Sequence, residues 1–207
     1  MKAIARELGV SVSSVSLWTR DIELSDEQKA RLADRNHRFY GQTRGHYERS
    51  QNARVKRLIS QLQGRAIARR RDPRHKAGCM LYWAEGSKSK NSVQFVNSDA
   101  EMIRFFKEFL MACYAVSADQ LCVSVNCYLN NGLTLDEIER HWLDVLELPA
   151  TSLRKATVNN PPRASKQQKR NLPYGTARLT LHSTHVLQSI YGAIQEYGGF
   201  DEPAWLG

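Results

Sequence analysis

The chain has no CxxC pair among its four cysteines, no apolar run near the ~20 residues of a membrane span, and no charged stub followed by an apolar stretch at its start. These absences argue against a disulfide framework, a cysteine-rich zinc module, a membrane anchor and an export signal. Cys79, Cys113, Cys122 and Cys127 stand in apolar contexts and read as reduced core thiols, so the expected location is cytoplasmic. His182 and His185 lie three apart with no second ligand pair nearby, which leaves them as surface or strand-end histidines rather than a zinc site.

The charge is unevenly distributed. The 207 residues carry 30 Lys and Arg against 21 Asp and Glu, and residues 26–76 alone hold 15 of the bases with 5 of the acids. The flanking segments are close to neutral. A basic excess confined to one segment is expected where that segment lies along phosphates.

The first twenty residues have the spacing of a helix-turn-helix. Ala5 is small enough for close helix approach, Gly9 can take the positive φ of a tight turn, and Ile4, Leu8, Val10, Val15 and Trp18 are placed to close a small core. Ser11 can cap the second helix, leaving Ser13, Ser14, Ser16 and Arg20 to face a DNA major groove.

Ser25 to Gln28 forms a capping box opening a helix toward Phe39. A second helical stretch, from about 47 to 70, has Val55, Leu58, Ile59, Leu62 and Ile67 at helical spacing, and Gly41 and Gly45 weaken the join between the two. Asp72-Pro73 ends this connector. Helices and strands then alternate: a helix over 75–85, strands at 92–97 and 121–129, helices capped by Asp99 and Thr134, strands near 152–158 and 176–182, and a last helix over 185–197. The expected class is α+β, divided into a reader over 1–24, a basic helical connector over 25–74 and an α/β domain over 75–207.

Within that last domain, Ala77 followed by "GCMLYWAEG" places Ala77, Gly78, Leu81 and Ala84 on a helix ending at Glu85-Gly86. With Glu85-Gly86 set against the motif's final acid and glycine, this stretch resembles the LAGLIDADG helix of the homing endonucleases. "VQFVNSDAEMIRFFKEFL" and "YGTARLTLHSTHVLQSIYGAIQ" look like bacterial and archaeal members of that family, so the likeness covers about residues 75–197. Met80 and Trp83 depart from the motif's close-packing glycine and first acid. The resemblance implies a curved antiparallel sheet and a homodimer through Ala77, Gly78, Leu81 and Ala84, since each chain carries one motif. It also implies DNA contacts from Arg154, Lys155, Arg163, Lys166, Lys169 and Arg170 in a strand-connecting segment.

Two functions follow as expectations. The first is a sequence-specific binder of double-stranded DNA, a transcriptional regulator on an endonuclease-like scaffold. The alternative is a site-specific endonuclease, in which Glu85 would bind Mg2+ and act with Lys88 in phosphodiester hydrolysis.

Overall fold

The computed structural model describes residues 2–129, 132–159 and 172–206, with backbone alone for residue 3 and residues 32–47. The chain is mixed α and β, and it divides into two compact units, 1–51 and 52–207, with the boundary inside one helix. Among the described residues no helix is long and apolar enough to cross a membrane.

In the first unit, α1 (Lys2–Glu7) and α2 (Val12–Trp18) are joined at Gly9, whose φ of 65° lets the Val10 amide return to the Ala5 carbonyl at 3.0 Å. The Ser11 hydroxyl caps α2 by accepting the Ser14 amide. Ala5 and Val15 are buried between the helices, but Ile4, Leu8 and Trp18, expected in the same small core, are exposed. Helices of six and seven residues touch along little more than one turn, which is enough for one facing pair and too short for five.

The connector is a single helix, α3 (Asp26–Ala68), rather than two stretches joined at Gly41 and Gly45. A glycine inside a helix costs only about 1 kcal/mol, and no proline intervenes before Pro73. Ser25 and Gln28 form the expected capping box at its start.

In the second unit, α4 (Pro73–Glu85) starts on the Asp72 carboxylate, which accepts the His75 amide at 2.8 Å. There follow β1 (Val93–Asn97), α5 (Ala100–Tyr114), β2 (Leu121–Tyr128), α6 (Leu135–Leu146), β3 (Thr157–Asn159), β4 (Thr176–Leu181) and α7 (Thr184–Gly198). Asp99, Thr134 and Ser183 cap α5, α6 and α7. Most of the segment expected as a strand near 152–158 is a short 3-10 turn and a loop, so β3 keeps only three residues.

The sheet order is β1-β4-β2-β3, with β4 antiparallel to both β1 and β2. β2 and β3 pair in parallel, so the sheet is mixed and not wholly antiparallel as expected. The reason is topological: α6 connects β2 to β3, and a helical crossover returns the chain in the same direction. Alternation assigns one sheet face to the core, where Val93 and Phe95 register with Leu181 and Leu179, and these with Leu121 and Val123. Phe95 stacks on Phe106 of α5 with ring centres 4.5 Å apart, and Ile138, Trp142 and Leu146 of α6 complete the buried layer.

The later half of α3 docks onto α7 in an unexpected orientation. A Cβ on Gly64 would overlap the Ser189 carbonyl, and one on Gly192 would overlap the Gln61 carbonyl, so the two glycines set the closest approach. Around them Gln61 donates to Gln188 at 2.8 Å and accepts from Gln195 at 3.1 Å, which satisfies three buried amides against one another. Arg65 and Arg69 pair with Glu196 at the rim. The packed face is therefore polar and glycine-lined, while Val55, Leu58, Ile59 and Leu62, expected to bury the helix, are exposed.

Candidate nucleic-acid interface

The same alternation that buries one side of the sheet leaves the other open and polar. Across the strands Gln94, Thr180 and Cys122 share one row, Val96, Arg178 and Ser124 the next, and Thr176, Asn126 and Thr157 a third. Asn159 on β3 donates its side-chain amide to Asn126, tying the short parallel strand to its neighbour. No strand position on this face is a carboxylate among the described residues. The face thus combines amides and hydroxyls, which both donate and accept, with the exposed Arg178 cation, and it presents nothing that repels a polyanion.

Arg154 stands at the edge of this face. Its backbone amide bonds the Val123 carbonyl at 2.8 Å, and its guanidinium donates to the Thr151 and Leu153 carbonyls, both at 2.9 Å. Arg154, Arg178, Thr180 and His182 line one shallow depression with Gln94 and Ser124. Lys155 follows and is exposed. Arg163, Lys166, Lys169 and Arg170 lie outside the described residues.

The sequence pointed to Arg154, which lines this depression, and to Lys155 beside it, but did not single out Gln94, Ser124, Asn126, Arg178 or Thr180. A usable signal was present: in Thr176-Ala-Arg-Leu-Thr-Leu181 every second residue is apolar and buried, which sends Arg178 and Thr180 to the opposite side.

On α2, Ser13 and Ser16 are exposed and Ser14 is half-buried. The Ser13 and Ser14 hydroxyls each lie 2.8 Å from the Ser11 hydroxyl, so both belong to the helix cap. Arg20 follows α2 and is exposed.

The α4 residues separate into two groups. Gly78 is buried, and a Cβ there would overlap the Phe109 ring of α5. Its small size is used inside the chain, so Gly78 is not free for close contact with a second copy as expected. Leu81 is half-buried against the core, whereas Ala77 and Ala84 are exposed.

Glu85 ends α4 and is exposed. The Lys88 ammonium donates to the Trp83 carbonyl at 2.7 Å and the Gly86 carbonyl at 3.0 Å, and partial burial pulls its pKa below the ordinary lysine value. Lys88 thus closes the C-terminal end of the helix, where a cation also meets the negative end of the helix dipole. Among the described residues no three His, Cys, Asp or Glu side chains gather as a metal site. Glu85 offers one carboxylate, fewer ligands than a divalent cation takes from a protein site by itself.

Comparison of the chain with protein-family models, with curated proteins and with solved structures finds no match.

Proposed function

We propose that this chain binds double-stranded DNA in a sequence-dependent way, as a transcriptional regulator on a scaffold resembling that of the LAGLIDADG endonucleases. The observation that carries the reading is the open sheet face, where Arg178 sits among Gln94, Ser124, Asn126 and Thr180 without a neighbouring strand carboxylate. Amides and hydroxyls can meet base edges, and arginine can meet either guanine or phosphate. Two further features point the same way: the concentration of bases in residues 26–76, and the exposed Ser13, Ser16 and Arg20 around a capped α2.

The test is selection of bound duplexes from a random pool, followed by affinity measurements with the unaltered chain and Arg20→Ala. Loss of about 1–3 kcal/mol confined to particular sequences makes Arg20 a base reader, and equal weakening on all sequences assigns it to phosphate. Failure to enrich any sequence would contradict sequence-dependent binding. The exposed Glu85 at the end of α4 motivates the endonuclease alternative. Incubation of the selected duplex with Mg2+ separates the two: a regulator leaves it intact, whereas metal-dependent cutting abolished by Glu85→Gln would put the nuclease in its place.

A further inference from the structure

Where α3 gives way to α4, residues 69–76 read Arg-Arg-Arg-Asp-Pro-Arg-His-Lys, and three of these cations enclose a space instead of facing away from the chain. Arg69, Arg71 and Lys76 line an open cleft of about 670 Å³, with Glu196 of α7 as its one acid. Ala68, Pro73 and Tyr197 complete the wall, which includes no residue of the open sheet face. The Tyr197 hydroxyl lies 2.8 Å from the buried His75 Nδ1, so the ring is a fixed part of that wall.

The charges in the cleft do not cancel. Arg69 donates to both oxygens of Glu196, at 2.8 and 3.2 Å, and Arg65 approaches the same carboxylate at 3.8 Å, so the acid is already met. Arg71 and Lys76 are exposed, and neither has an ion pair or a side-chain hydrogen bond. Asp72, beside Arg71 in sequence, accepts the His75 amide at the start of α4 and does not line the cleft. Arg71 also holds a φ of 59°, the left-handed conformation that glycine usually supplies just after a helix. An arginine at that position sets a cation at the cleft where glycine would set none.

We propose that this cleft binds the terminal phosphate of a small phosphorylated molecule, with Arg71 and Lys76 on the phosphate and Tyr197, Ala68 and Pro73 against the organic part. The match is one of charge and size. Two cations without partners suit a phosphate monoester, which carries close to two negative charges above its second pKa of about 6, better than a backbone diester or a sulfate ester, which carries one. The volume lies within the range of small-molecule sites and leaves room for an organic group beside the phosphate. The site is independent of the DNA-binding reading.

Isothermal titration calorimetry of the full chain at about pH 8, with phenyl phosphate as the probe and phenyl sulfate as its singly charged counterpart, tests the proposal. The expected result is saturable binding of one phenyl phosphate, with phenyl sulfate about fivefold weaker. Arg71→Gly/Lys76→Gln removes both cations, and its glycine suits the left-handed turn, so it is expected to weaken phenyl phosphate at least tenfold with unchanged helix content. Arg74→Gln, at an exposed cation outside the cleft, is expected to leave binding within twofold. Absence of saturable binding, equal affinity for the two esters, or an equal loss in Arg74→Gln and the double variant would overturn the proposal. Displacement of bound phenyl phosphate by a short duplex without terminal phosphates would overturn it too, by assigning the cleft to backbone diesters.

Discussion

Gly64 on α3 and Gly192 on α7 bring two helix backbones into contact, each occupying a place where a Cβ would overlap a carbonyl of the facing helix. The obstructing atoms are backbone and cannot rotate away. Gly192→Ala and Gly64→Ala are each expected to destabilise the second unit by about 1–3 kcal/mol, through overpacking and loss of the Gln61, Gln188 and Gln195 hydrogen bonds. Urea denaturation checks this, and a midpoint unchanged in both variants would contradict the close approach.

His75 is buried, with Nδ1 2.8 Å from the Tyr197 hydroxyl and Nε2 3.0 Å from the Tyr114 hydroxyl. Burial lowers its pKa, and the Asp72 carboxylate only partly offsets that effect. The unfolded chain then binds more protons than the folded one at pH values between the lowered pKa and the ordinary histidine value of about 6.5. Stability contributed by neutral His75 is present above the ordinary value and is lost as pH falls through this window. Burial also lowers the pKa of His141, which adds to the slope in the same direction. Denaturation midpoints are expected to drop between about pH 7.5 and about pH 5.5, and less steeply in His75→Gln. Equal slopes in the two proteins would contradict this.

Lys88 is expected to matter for stability, since its ammonium closes the end of α4. Lys88→Met keeps the aliphatic stem and removes the cap, and should lower stability by about 1 kcal/mol. Differential scanning calorimetry reads the change. A melting temperature equal to that of the unaltered chain would remove the capping role.

Much of this architecture was legible because local chemistry announces it. Ser11, Ser25, Asp99 and Thr134 mark helix starts through short-range hydrogen bonds, and these caps appear where the residues predict them. What could not be read was which face of α3 would pack. An apolar stripe is the usual signal, but here Gly64 and Gly192 permit a closer approach on the other side, and the buried glutamines pair only across α7, more than a hundred residues away. The parallel β2–β3 pair was hidden for a similar reason, since β3 has only three residues and its partner is fixed by the α6 crossover. The polar sheet face lay within reach, because the alternation around Arg178 already separates its two sides.

DNA affinity as a function of salt, measured by fluorescence anisotropy for the unaltered chain and for Asn126→Ala/Arg178→Ala, tests the DNA-binding reading most directly. Both residues are exposed, and Asn126→Ala also removes the tie to Asn159, so the circular dichroism of the variant must match that of the unaltered chain for the comparison to count. The predicted result is salt-dependent binding that weakens about tenfold or more in the variant, with the slope of log K against log salt shallower by about one if Arg178 contacts phosphate. Absence of salt-dependent binding in the unaltered chain, or the same affinity in both proteins, would contradict a DNA-binding role for the open sheet face.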